Sequence, residues 1–128
     1  MQELIKKRTK DIGLEVIKLI DELPQKTATW AISKQLIRCS TSVGANYRAA
    51  CRGKSSADFV YKLKIVEEEA DETLYWLEIL EDSNLIESVR IETLKKEVNE
   101  ILSIVVASIK TTQSKIQNQK AEIQNRKS

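Results

Sequence analysis

Any chemistry in this chain must come from carboxylates, amines, guanidinium groups and two thiols, because its 128 residues include no histidine. That removes the commonest general base and the commonest metal ligand together. Catalytic triads and histidine-containing zinc sites are therefore excluded. The densest acidic cluster, Glu67, Glu68, Glu69, Asp71 and Glu72, resembles the carboxylate sets of di-iron bundles only in part, since those also need Glu-x-x-His motifs. A glycosidase-like carboxylate pair would need a cleft that nothing in the pattern implies. No metal, no cofactor and no enzymatic activity are expected. Cys39 and Cys51 fall on one predicted helix, ~18 Å apart by helical rise, beyond the reach of a disulfide. They are expected to be reduced packing residues.

The remaining chemistry is charge, and it is segregated. Residues 26–54 hold six Lys/Arg and no Asp/Glu, whereas residues 55–82 hold two Lys and nine Asp/Glu. Lys34, Arg38, Arg48 and Arg52 share an arc of ~80° on a helical wheel and, with Lys54, make a stripe nearly ~30 Å long. Cations along such a line can follow a nucleic-acid backbone. The competing reading is that they face the acids of the next helix, within the bundle or across a subunit boundary. In a ring of subunits, each weak site would be multiplied into avid binding.

Three glycines, one proline and few aromatic residues argue for an all-α protein of one domain. The first helix is predicted over residues 3–23, with Ile5, Ile12, Val16, Leu19, Ile20 and Leu23 at helical spacing and Pro24 beyond it. Thr27 or Thr29 can cap a second helix that reaches Arg52. Ile32, Leu36, Cys39, Val43, Tyr47 and Ala50 form its apolar face; Gln35, Arg38, Ser42 and Asn46 form a polar ridge beside it. The small residues around Gly44 permit close approach of a neighbouring helix. Gly53 is expected to close this helix in a left-handed conformation, and Ser55 to cap the third with Asp58 at capping-box spacing.

The third helix carries the seam Phe59, Leu63, Val66, Ala70, Thr73, Leu77 and Leu80. A second stripe of Ile65, Trp76 and Ile79 lies roughly a third of a turn away and is expected to be covered by another helix or subunit. A fourth helix is predicted over residues 90–112, with Leu94, Val98, Ile101, Val105 and Ile109 as its seam. These elements give an antiparallel up-down-up-down four-helix bundle over residues 1–112. Residues 113–128, rich in Gln, Asn, Lys and Ser, read as a polar basic tail, frayed helix passing into disorder. With no secretory signal and no apolar run of spanning length, the protein is expected to be cytoplasmic and to have no membrane contact.

Gln35-Leu36-Ile37-Arg38, Thr41-Ser42-Val43-Gly44-Ala45-Asn46, Ser55 with Asp58-Phe59, Lys62-Leu63 and the run from Glu69 to Leu77 resemble the bacterial four-helix-bundle proteins encoded in intervening sequences of 23S ribosomal RNA genes. That family is similar to the accessory protein of diversity-generating retroelements. The resemblance implies a ring-like homopentamer. Many members place an aliphatic residue after the Asn and an acidic one two positions later, where this chain has Tyr47, Arg48 and Ala49. The second helix is correspondingly more basic, which favours an acidic partner.

On this reading Arg38 pairs with Glu69 or Glu72, and Ser42 and Asn46 hydrogen-bond across the same helix contact. Such a bridge specifies register more than it stabilises. Ile65, Trp76 and Ile79 would form the oligomer interface. The expected function is a non-enzymatic oligomeric scaffold that binds RNA or DNA through Lys34, Arg38, Arg48, Arg52 and Lys54, or serves a protein that handles them. A protein–protein adaptor without nucleic-acid contact is the alternative.

Overall fold

The computed structural model describes residues 1–87 and 89–127. It contains four helices, α1 (Gln2–Asp21), α2 (Thr27–Cys51), α3 (Ser56–Asp82) and α4 (Val89–Lys127), and no strand among the described residues. Each helix touches its neighbours in the cyclic order α1, α2, α3, α4 and back to α1. Among the described residues diagonal helices do not approach backbone to backbone, and α1 and α4 are the most sparsely apposed of the four neighbouring pairs.

The core follows the apolar seams. Val16, Leu19, Leu36, Cys39, Val43, Leu63, Val66, Leu77, Val98 and Ile101 are closed to solvent. Phe59 is partly buried and packs against the core rather than within it. Burial pushes the Cys39 thiol above its ordinary pKa and does the same to the Tyr47 hydroxyl, which also feels Cys51 beside it. Each buried polar side-chain atom among the described residues has a partner. Thr9, for example, donates to the Ile5 carbonyl oxygen at 2.8 Å.

The helix ends depart from the sequence reading in three places. α2 begins at Thr27 with Lys26 as its N-cap, rather than after a Thr27 or Thr29 cap, because the buried Thr29 hydroxyl accepts the Lys26 N–H at 3.0 Å from inside the first turn and so satisfies a donor that a helix start leaves open. Gly53 is not left-handed; no glycine in the chain has positive φ. A side chain there would be crowded for another reason, since a Cβ would stand 2.8 Å from Asp58 Oδ2, which would have to shift, and 3.0 Å from the Ala50 carbonyl oxygen. Among the described residues the left-handed one is Asn84, at φ 57°, just after the end of α3. Asparagine adopts that region readily.

α4 does not end at Thr112. Ile109 is its last buried residue and Ile116 the last to pack against the core, yet the helix continues to Lys127. Gln, Lys, Ala, Glu and Arg propagate a helix without needing an apolar face. The compositional change at Gln113 thus marks where burial ends rather than where the backbone changes.

Candidate nucleic-acid interface

Gly44 sets the geometry of the basic face. Its absent Cβ would lie 3.1 Å from the Thr9 carbonyl oxygen and 3.2 Å from both the Lys10 Cα and N. Gly13 lies reciprocally against Thr41, whose Cγ2 a Cβ there would approach to 3.2 Å. The backbones of α1 and α2 therefore meet as closely as side chains allow. That approach brings Lys6, Lys7 and Lys10 of α1 into one groove of about 550 Å³ with Arg48 of α2.

Four cations and a single carboxylate, Glu3, line that groove. Lys6 reaches Glu3 at 2.9 Å and Lys7 reaches Asp11 at 2.8 Å, exposed pairs of little energetic consequence. Lys10 and Arg48 take part in no ion pair among the described residues. The α1 lysines were missed by sequence reasoning, which placed charge on one helical wheel at a time. The signal that could have found them is the glycine pair, which fixes which face of α1 meets α2.

The proposed phosphate-binding residues do not all stand alike. Arg52, just past the end of α2, and Lys54 are exposed and take part in no ion pair among the described residues; the Lys54 backbone N–H donates to Asp58 at 3.3 Å. Lys34 sits with Nζ 4.5 Å from the centre of the Trp30 ring, in cation–π contact at the far end of the stripe. Arg38 is already engaged: its Nη1 lies 3.3 Å from Glu69, its Nη2 contacts Glu72, and its Nε donates to Gln35 at 3.3 Å. Trp76 Nε1 adds a bond to the same Glu72 carboxylate at 3.3 Å. Gln35, Arg38, Glu69, Glu72 and Trp76 thus form one network across α2 and α3. Arg38 leaves the basic stripe for the helix contact.

Ser42 and Asn46 do not bridge that contact. Asn46 Nδ2 donates to the Ser42 carbonyl oxygen of its own helix at 2.9 Å, because an asparagine four residues on is well placed to reach back along α2. At the α2–α3 turn, Ser55 caps α3 by accepting the Asp58 N–H at 3.1 Å. The Asp58 carboxylate accepts from Lys54 rather than from Ser55.

Ile65, Trp76 and Ile79 are each only partly exposed, and Trp76 and Ile79 pack against the monomer's own core. Larger apolar exposures lie elsewhere, among them Leu4, Leu14 and Ile17 on α1, Trp30 and Ile37 on α2, Tyr61 and Tyr75 on α3, and Val89 and Ile123 on α4. The α1–α4 contact also carries ion pairs at its edge. Arg8 reaches Glu97 at 2.6 Å and Glu100 at 3.0 Å, and Arg90 reaches Glu22 at 2.8 Å and Glu15 at 3.1 Å. Hydrogen bonding from Lys18, with Arg90 assisting, holds the Glu15 carboxyl below the usual carboxylate range. Among the described residues no three His, Cys, Asp or Glu side chains gather as a metal-binding group, and no helix is long and apolar enough to cross a membrane.

Residues 2–107 match the family model described as 23S rRNA-intervening sequence protein. Among solved structures, a protein of unknown function from the S23 ribosomal protein family of Bacteroides thetaiotaomicron VPI-5482 is similar, at 33% identity and a TM-score of 0.77. The match covers 85% of this chain and 97% of that one. No curated protein matches.

Proposed function

From its membership of the 23S rRNA-intervening sequence protein family, we propose that this chain is a non-enzymatic, oligomeric helical scaffold that binds RNA or DNA through the outer face of α2. The observation that carries this reading is the α1–α2 groove, where Arg48 joins Lys6, Lys7 and Lys10 against one carboxylate. Arg52 and Lys54 extend the positive face along α2, and Lys34 continues it at the other end. Phosphate contacts need only cations at spacings a backbone can follow. Arg38 has a different role, holding α2 to α3 through Glu69 and Glu72.

The scaffold itself is an antiparallel up-down-up-down bundle. Its support lies in the ion pairs, because Arg8 near the start of α1 meets Glu97 and Glu100 well into α4, while Glu22 just beyond α1 meets Arg90 at the start of α4. Assembly into a homopentameric ring, implied by the family resemblance, would use the partly covered Ile65, Trp76 and Ile79, and would repeat the basic groove around the ring. A cytoplasmic location suits a partner that is a nucleic acid or a protein that handles one. The adaptor reading draws on a specific observation of its own: Leu14 and Ile17 are exposed and line the groove, and apolar side chains of this kind serve a protein partner better than a phosphate backbone.

Titration of RNA and DNA across a salt series, on wild type and on Arg48→Glu/Arg52→Glu with oligomeric size measured in the same samples, tests the proposal. For every phosphate that the double variant no longer neutralises, the slope of log K against log salt should become shallower by about 0.7–0.9. Absence of binding by the intact oligomer at low salt would overturn the nucleic-acid reading in favour of the adaptor.

A further inference from the structure

The family match ends at residue 107, whereas α4 runs on to Lys127 as an exposed helical arm. Residues 110–127 hold five Lys/Arg and one Asp/Glu. On a helical wheel, Lys115, Lys120, Arg126 and Lys127 share an arc of ~140° with Ile116 and Ile123. Ser114, Gln117, Ala121 and Gln124 occupy the opposite side, and Glu122, the one acid, falls just outside the arc. The arm is therefore a basic amphipathic helix with an isoleucine centre. Ile123 is 51% exposed.

A surface of matching chemistry lies on α3. Tyr61, Glu68, Asp71, Tyr75, Glu78 and Asp82 are all exposed and share an arc of ~100°, with Lys64 the one cation among them. Its four acids are in no ion pair among the described residues, and its two tyrosines are 62% and 54% exposed. By helical rise the stripe is ~32 Å long and the arm ~26 Å.

We propose that the α4 arm of one copy docks along the outer stripe of α3 in a second copy, its lysines and arginine against the acids and its exposed Ile123 against Tyr75. The arm cannot reach the stripe of its own chain. No proline or glycine interrupts residues 89–127, so nothing permits the sharp kink that folding back would require. A nucleic acid satisfies the observations less well. Phosphates would use the cations but leave the exposed Ile123 idle, whereas an acidic and aromatic stripe uses both kinds of side chain. The contact is heterologous, arm to stripe, and so each copy offers one of each.

Carbodiimide cross-linking of the full-length protein, in an equal mixture of ordinary and nitrogen-15-labelled chains, tests this contact directly. Mixed-isotope cross-links from Lys120 or Lys127 to Asp71 or Glu78 are expected. In Glu68→Lys/Glu78→Lys, the Lys120–Asp71 cross-link should fall about tenfold; mixing that variant with Lys115→Glu/Arg126→Glu should restore it. Absence of arm-to-stripe cross-links while other lysine–carboxylate cross-links form would overturn the proposal. So would a Lys115→Glu/Arg126→Glu variant that lowers the salt slope of RNA binding while wild-type chains show only within-chain cross-links, which would place the arm on nucleic acid. Because no RNA is present in the cross-linking arm, its outcome is independent of whether α2 binds nucleic acid.

Discussion

Alanine at Gly44 and alanine at Gly13 are the same chemical change in two helix interiors, and the structure expects them to differ in sign. Replacing glycine in a helix gains about 1 kcal/mol of helix propensity. At Gly44 the new methyl would stand 3.1–3.2 Å from three backbone atoms of α1, at Thr9 and Lys10. Backbone of a packed helix cannot swing aside, so α1 must move by a few tenths of an ångström against its own core contacts. Overpacking of this kind costs about 1–3 kcal/mol. The net is a loss of about 1 kcal/mol, or a fall in Tm of about 4 °C for a chain of this size. At Gly13 the closest atom is the Thr41 methyl, at 3.2 Å on an exposed side chain, which can give by a few tenths of an ångström without moving backbone. There the propensity gain should prevail, and Tm should stay level or rise. Thermal unfolding followed by circular dichroism at one protein concentration reads both. A Gly44→Ala variant as stable as wild type, or a Gly13→Ala variant equally damaged, would refute the backbone-contact account. The consequence reaches the groove as well, because Gly44 is what lets Lys10 and Arg48 share it.

Two further outcomes follow from the helix contacts. Arg38→Met should lower stability by about 1 kcal/mol, since it leaves Glu69 and Glu72 facing each other without their shared cation; the deficit in Tm should shrink in high salt, and a deficit that is identical at all salt concentrations would argue for packing instead. Alkylation with iodoacetamide should modify the partly exposed Cys51 in the native protein and spare Cys39, whose burial both blocks access and raises its thiol pKa, so that less of the reactive thiolate forms at any given pH. Peptide mapping after timed alkylation checks this, and equal labelling of the two cysteines would contradict the packing of α2 against α3.

The apolar seams of α2, α3 and α4 were legible because a helix repeats every 3.6 residues, and Leu36, Val43, Leu63, Leu77, Val98 and Ile101 are as buried as that period demands. The Arg38 contact with α3 was legible for the same reason, being a charge at the edge of a seam facing a carboxylate edge. A single wheel says which side of a helix is covered but not by what. Hence Lys6, Lys7 and Lys10 could not be joined to Arg48 from sequence, and Leu14 and Ile17, off the seam of α1, gave no sign that they border the same groove. Local chemistry misled in the other direction at Gly53 and Asn46. Glycine at a helix end can mean left-handed backbone or crowding by a neighbour, and here Asp58 supplies the crowding; asparagine can bridge helices or bond its own, and the nearer carbonyl won. Sequence reasoning sets the end of α4 at Thr112 by equating the end of an apolar face with the end of the helix, although a frayed helix beyond it is among the expectations. Once those are separated, residues 110–127 become an ordered strip of positive charge leaving the bundle, and the acidic and tyrosine-bearing stripe of α3 becomes the surface that most closely matches it.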